Sequence, residues 1–142
     1  MRDASGRRWA LLVVVAAGGA LGAPARYGIA QLLPVQPGVF PWATFWTNVS
    51  GALLIGLFVT GVLERMRRDR YVRPFFVVGF LGSFTTFSTL ATETATLVKE
   101  GEVALAVGYT VASIVVGSSA AFGGLVIGRL LTERRAARET VV

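Results

Sequence analysis

Four long uncharged stretches set the limits on this fold: Trp9–Ala25, Tyr27–Leu63, Pro74–Thr92 and Val103–Gly128. A helix crosses the hydrocarbon core with about 20 apolar residues, because it satisfies its own backbone where no water can. The second stretch, at 37 residues, is too long for one span. Pro34, Pro37, Gly38 and Pro41 interrupt it and predict a turn at about 34–41 and a helix over about 42–63. The third stretch continues past Glu93 to about Val98, and the first reaches full length by running through Arg26 to about Leu33. The expectation is an all-α membrane protein of four transmembrane helices. A membrane domain over 9–131 lies between basic tails at 1–8 and 132–142.

The opening "MRDASGRRWALLVVVAAGGALGAPA" also has the basic start, apolar core and small residues near Ala23 of a signal peptide. The apolar pattern resumes directly after Arg26, which favours a retained first helix. Arginines then predict topology. With both termini on one side, that side carries Arg2, Arg7, Arg8, Arg65, Arg67, Arg68, Arg70, Arg73, Arg129, Arg134, Arg135 and Arg138. The other side has Lys99 alone, beside Glu100 and Glu102. Twelve against one predicts both termini in the cytoplasm and a multi-pass protein of the inner (plasma) membrane. The net charge of +6 thus reads as headgroup contact and topology, with no nucleic acid partner.

Chemistry is narrowly bounded. Cysteine and histidine are absent. Disulfides, thiolate and histidine catalysis and the usual zinc sites are therefore excluded, and any metal must be held by oxygen. Glu93 is the one acidic residue inside a span, so paired-carboxylate catalysis lacks a partner in this chain. No phosphate loop or nucleophile–base pair occurs, and an enzyme is not expected.

The third stretch contains the most unusual passage, "GFLGSFTTFSTLATE" over 79–93. Ser83, Thr85, Thr86, Ser88, Thr89 and Thr92 bring six hydroxyls to membrane depth. Each could bond back to its own helix. On a continuous helix, however, Thr85, Thr89 and Glu93 would form one stripe, with Ser88 and Thr92 beside it. A carboxylate facing lipid is costly, so Glu93 is expected to face protein or a wet path. Gly79 and Gly82 weaken the helix. They allow either close packing or a break near the midplane, whose unwound carbonyls could hold a small cation such as Na⁺.

Elsewhere, Thr44 and Asn48 share a face, as do Tyr109, Ser113 and Gly117. Gly117, Ala121, Gly124 and Gly128 form a small-residue stripe suited to close packing. Trp9, Trp42 and Trp46 fit an interfacial belt. Arg26, after Pro24 and Gly22 where a bend is expected, is read as a structural cap on carbonyls.

Together "GGALGAPARYG", "TFWTNVSGALLIG" and the third-helix passage, in order on successive helices, resemble the small bacterial fluoride channel family Fluc/CrcB over about 15–128. The resemblance implies an antiparallel, dual-topology dimer of four-helix subunits with two fluoride pores. It implies a structural Na⁺ at the dimer interface, held by backbone carbonyls of a broken third helix, here Gly82 and Thr85. It places the second-helix asparagine of the ion pathway at Asn48 and the first pore phenylalanine at Phe87. The polar track falls on Ser88, Thr89, Glu93, Tyr109 and Ser113, with Thr44 a possible addition, and the first-helix arginine on Arg26.

Two departures stand out. Leu90 occupies the place of the family's second phenylalanine, and the arginine bias favours one orientation, whereas an antiparallel homodimer needs both. The partner is thus expected to be a second copy or an oppositely oriented paralogue that supplies the missing ring. The leading expectation is passive fluoride export that lowers intracellular fluoride. The alternatives are a small proton-coupled multidrug transporter using Glu93, or a non-transporting assembly subunit.

Overall fold

A computed structural model describes the backbone of residues 2–62 and 70–139 and the side chains of 5–60 and 70–133. Among the described residues every regular element is helical. Helix α1 spans Arg2–Leu32, and α2 spans Trp42–Leu57 and runs on as a π-helical turn, Phe58–Val62. A second π-helical segment, Pro74–Leu81, leads into the short α3 (Gly82–Phe84). Then come α4 (Phe87–Lys99) and α5 (Val103–Glu139). Four stretches are long and apolar enough to cross a membrane: Ser5–Leu32, Trp42–Thr60, Pro74–Lys99 and Val103–Glu133.

The proline-rich turn falls where expected, because Pro41 directly precedes α2. The first helix extends beyond its uncharged stretch at the N-terminal end. It begins at Arg2 rather than Trp9, so Arg7 and Arg8 extend the helix as a basic turn. It also runs through Pro24 as one helix. At the other end, α5 extends well past Gly128 into the basic tail. Of the arginines behind the topology argument, Arg65, Arg67 and Arg68 lie outside the described residues, as do the side chains of Arg2, Arg134, Arg135 and Arg138.

Glycines set the helix spacing. In lipid, helices gain little from the hydrophobic effect and associate through close van der Waals contact. A Cβ on Gly18 would overlap the Phe75 carbonyl oxygen, and one on Gly22 that of Phe80, so α1 lies directly on the Pro74–Leu81 backbone. Between α2 and α5 the fit is reciprocal. A Cβ on Gly56 would overlap the Ala121 carbonyl oxygen, and one on Gly124 that of Leu53. The expected small-residue stripe therefore packs at Ala121 and Gly124, while Gly117 has open space beside it among the described residues.

A core of Phe45, Leu90, Leu97, Ala106 and Tyr109 fills one end of the bundle. Phe40 meets Tyr109 edge-on with ring centroids 5.2 Å apart, an arrangement that brings a positive ring edge to a negative face. The α1–α2 loop is tied down there: Gly38 N–H donates to the Glu100 carboxylate at 3.1 Å. Gly38 (φ 67°) and Gly101 (φ 87°) occupy left-handed backbone in these two connections, where glycine carries no Cβ penalty.

Candidate functional site

The passage "SFTTFS" is where helical backbone in the third unit is interrupted. Helix α3 ends at Phe84, Thr85 is extended (φ −76°, ψ 155°), Thr86 is extended (φ −149°, ψ 121°), and α4 starts at Phe87. Adjacent hydroxyls make this possible by offering the backbone other partners. Thr85 Oγ1 donates back to Leu81 O at 2.9 Å. Thr86 caps α4, its Oγ1 accepting from Thr89 N–H at 3.1 Å. The same oxygen lies 2.9 Å from Thr89 Oγ1 and 3.2 Å from Ser88 Oγ.

Two side chains from other helices hold this region. Asn48 of α2 grips Thr86 at both ends of the residue: Nδ2 donates to Thr86 O at 2.9 Å, and Thr86 N–H donates to Oδ1 at 2.8 Å. Arg26 of α1 donates from Nε to Ser83 O at 3.2 Å. Gly51, one turn from Asn48, lets α2 pass, since a Cβ there would overlap Thr85 Cγ2.

These bonds alter the carbonyls. In an uninterrupted helix Thr86 N–H would close on Gly82 O and Thr89 N–H on Thr85 O. Here the first goes to Asn48 and the second to Thr86 Oγ1, so neither carbonyl receives its helical bond. The stripe predicted through Thr85, Thr89 and Glu93 is accordingly not continuous. Thr85 precedes α4, and only Thr89 and Glu93 share its register.

Glu93 is the centre of a second cluster. Its carboxylate accepts from Thr44 Oγ1 at 2.9 Å through one oxygen and from Tyr109 Oη at 2.7 Å through the other. Thr44 is buried, and Tyr109 is fully buried. Three helices, α2, α4 and α5, thus converge on one carboxylate and satisfy both oxygens, as a charged group at this depth requires. Ser113, one turn beyond Tyr109, is buried and its hydroxyl has no partner among the described residues. On α2, Thr44 and Asn48 stand one turn apart, so a single helix face links the carboxylate cluster to the interruption.

The remaining sequence-predicted residues are not gathered here. Phe87 is 81% exposed and projects away from the chain's own core. Ser88 is also exposed. Leu90, in contrast, is buried in the core with Tyr109 and Phe45. Thr92 back-bonds to Ser88 O. Sequence reading gave Thr86 no special place, yet it is the cap of α4 and the partner of Asn48. A threonine three residues ahead of another hydroxyl residue at a helix start was the signal available. Among the described residues no group of three or more acidic side chains could hold a metal, so a cation would depend on carbonyl oxygens.

Residues 13–125 match the family model described as CrcB-like protein, Camphor Resistance (CrcB). The chain belongs to the CrcB family. Fluoride-specific ion channel FluC 3 of Streptomyces avermitilis is 47% identical to this CrcB-family chain over 128 residues. That alignment covers 90% of this chain but 63% of the relative, so the chain spans less than two thirds of that protein's length. Fluoride-specific ion channel FluC 1 of Mycobacterium tuberculosis is 43% identical over 124 residues, covering 87% of this chain and 94% of the relative. Fluoride-specific ion channel FluC 1 of Nitrobacter hamburgensis is 41% identical over 128 residues, covering 87% and 99%. These CrcB-family relatives carry the name of an ion channel and not of an enzyme. With four membrane-capable helices, this CrcB-family chain is a multi-pass membrane protein.

Proposed function

We propose that the chain forms a fluoride-selective channel through which cytoplasmic fluoride leaves passively down its electrochemical gradient. The observation that carries this reading is the half-buried Glu93 carboxylate held by buried Thr44 and Tyr109, with the Ser113 hydroxyl, unpartnered among the described residues, one turn away. Fluoride is small and strongly hydrated, so a conducting path must replace water with close donors. The Ser113 hydroxyl and the second Nδ2 hydrogen of Asn48 are donors of that kind, and the Arg26 guanidinium is engaged at the Ser83 carbonyl. The names of the relatives agree with this choice of ion. Fluoride enters cells as neutral hydrofluoric acid and ionises inside, so a passive exit lowers the cytoplasmic level.

In this reading the functional unit is an antiparallel dimer, with the third helix broken near the midplane at Thr85 and Thr86. The exposed Phe87 ring fits such an assembly, because its positive edge can face an anion contributed to a shared pore. A structural Na⁺ at the dimer interface would be held by the Gly82 and Thr85 carbonyls. Their lost helical bonds support the fit, since a hard cation of low charge takes neutral oxygen ligands. The partner is a second copy or an oppositely oriented paralogue. Both termini lie in the cytoplasm, and the protein sits in the inner (plasma) membrane.

Fluoride efflux from liposomes tests the proposal. The chain, alone or with a paralogue from the same organism, is expected to release fluoride without a proton gradient. Efflux only with an imposed proton gradient would point to a proton-coupled transporter instead. Asn48→Asp or Phe87→Ala leaving fluoride resistance of cells intact would favour a non-conducting assembly subunit.

A further inference from the structure

We infer that Asn48 is a positioning residue for the cation site, because its two bonds to Thr86 keep the Gly82 and Thr85 carbonyls out of the helical ladder. This rests on the channel reading above, and specifically on a cation at those carbonyls. The resemblance placed Asn48 on the ion pathway; the geometry gives it a further role. Its carboxamide occupies both the N–H and the C=O of the one residue where the third unit is most extended.

Thr86 N–H is the group that would return to Gly82 O if the helix rewound. Asn48 Oδ1 holds it at 2.8 Å. Holding Thr86 also places its Oγ1 where Thr89 N–H reaches it at 3.1 Å, which removes the donor for Thr85 O. One side chain on α2 therefore releases two carbonyls on another helix, the first directly and the second through Thr86. Arg26 answers Ser83 O between them, so that carbonyl does not compete for the same role. Without Asn48, Thr86 N–H would stand partly buried and unpaired, and the least costly remedy is to rewind onto Gly82 O. That closes both carbonyls at once.

A residue that acts only as an anion donor would change fluoride flux and leave cation binding alone. The two roles separate in thermal unfolding of the purified full-length protein. The measurement is a titration with Na⁺ against N-methylglucamine at constant ionic strength, without fluoride. Wild type is expected to gain stability with Na⁺ and to saturate. Asn48→Leu, which keeps the volume and removes both bonds, should raise the Na⁺ concentration for half-maximal stabilisation by about tenfold or abolish the effect. Tyr109→Phe, which removes a donor from the Glu93 cluster and leaves Thr86 untouched, should stay within about twofold of wild type while fluoride flux falls. If Asn48→Leu does not fold, Asn48→Ser is read in its place, since serine is too short to span to Thr86. A midpoint for either variant within about twofold of wild type overturns the inference while leaving the channel reading intact. Wild type with no response to Na⁺ overturns the cation site itself, and the inference with it.

Discussion

Glu93 is tolerated at membrane depth because two donors from different helices meet its two oxygens. Removing one leaves a carboxylate oxygen poorly answered in a half-buried place. Tyr109→Phe should therefore destabilise the protein by about 1–3 kcal/mol in chemical or thermal unfolding, and it should slow fluoride efflux. Unchanged stability would mean that water replaces the phenol. Leu90 makes the opposite case, for packing. It is buried against Tyr109 and Phe45, so restoring a phenylalanine with Leu90→Phe should cost about 1–3 kcal/mol of overpacking. A gain in both stability and flux would show that the ring turns outward to the pore. Phe87 has few contacts to lose within the chain, being 81% exposed. Phe87→Ile should keep stability within about 0.5 kcal/mol and cut fluoride flux sharply, and normal flux would remove it from the pathway. At this scale the sequence showed which residues were out of place in a span, Glu93 and Asn48 above all. It could not show that Thr44 reaches the carboxylate while Asn48, one turn away, reaches Thr86.

Among the elements, helix spacing depends on which glycine faces a neighbour, and two adjacent residues separate the possibilities. A Cβ on Gly124 would overlap the Leu53 carbonyl oxygen, while one on Gly123 has open space. Gly124→Ala should push α2 and α5 apart and cost about 1–3 kcal/mol, because backbone cannot yield as a side chain can. Gly123→Ala should be neutral or gain about 0.5–1 kcal/mol from helix propensity. Thermal unfolding of the two variants side by side checks the contrast, and equal effects would mean that the face assignment is wrong. The small-residue stripe was readable by spacing, but spacing alone also included Gly117, which meets nothing among the described residues. The interruption at Thr85 and Thr86 was approached from "GSFTT" as a weak helix. Its position, beginning three residues after Gly82, follows from the Thr86 cap and the Asn48 clasp, both of which act at the second threonine.

For the whole molecule, arginine placement predicts both termini on the cytoplasmic side. The chain has no cysteine, so a single one introduced at either terminus is a unique label. Both sites should resist a membrane-impermeant thiol reagent in intact cells and react after permeabilisation. Labelling of about half the chains in intact cells would instead indicate dual insertion and favour a homodimer over a paralogue partner. The linker arginines Arg65, Arg67 and Arg68 carry much of this argument through charge alone, which is a property of sequence and needs no coordinates.

The number of spans, their order, the single intramembrane carboxylate and the family were all determined by the sequence itself. These rest on local quantities, namely hydropathy, charge and short motifs, which survive without knowing how helices dock. Only the tertiary structure decided what each polar group meets. Thr44 lies 49 residues from Glu93, Asn48 lies 38 from Thr86, and Arg26 lies 57 from Ser83. Such partners are chosen by the approach of whole helices, which close glycine contacts set. For the same reason Leu90 turned from a missing pore ring into a core residue beside Tyr109.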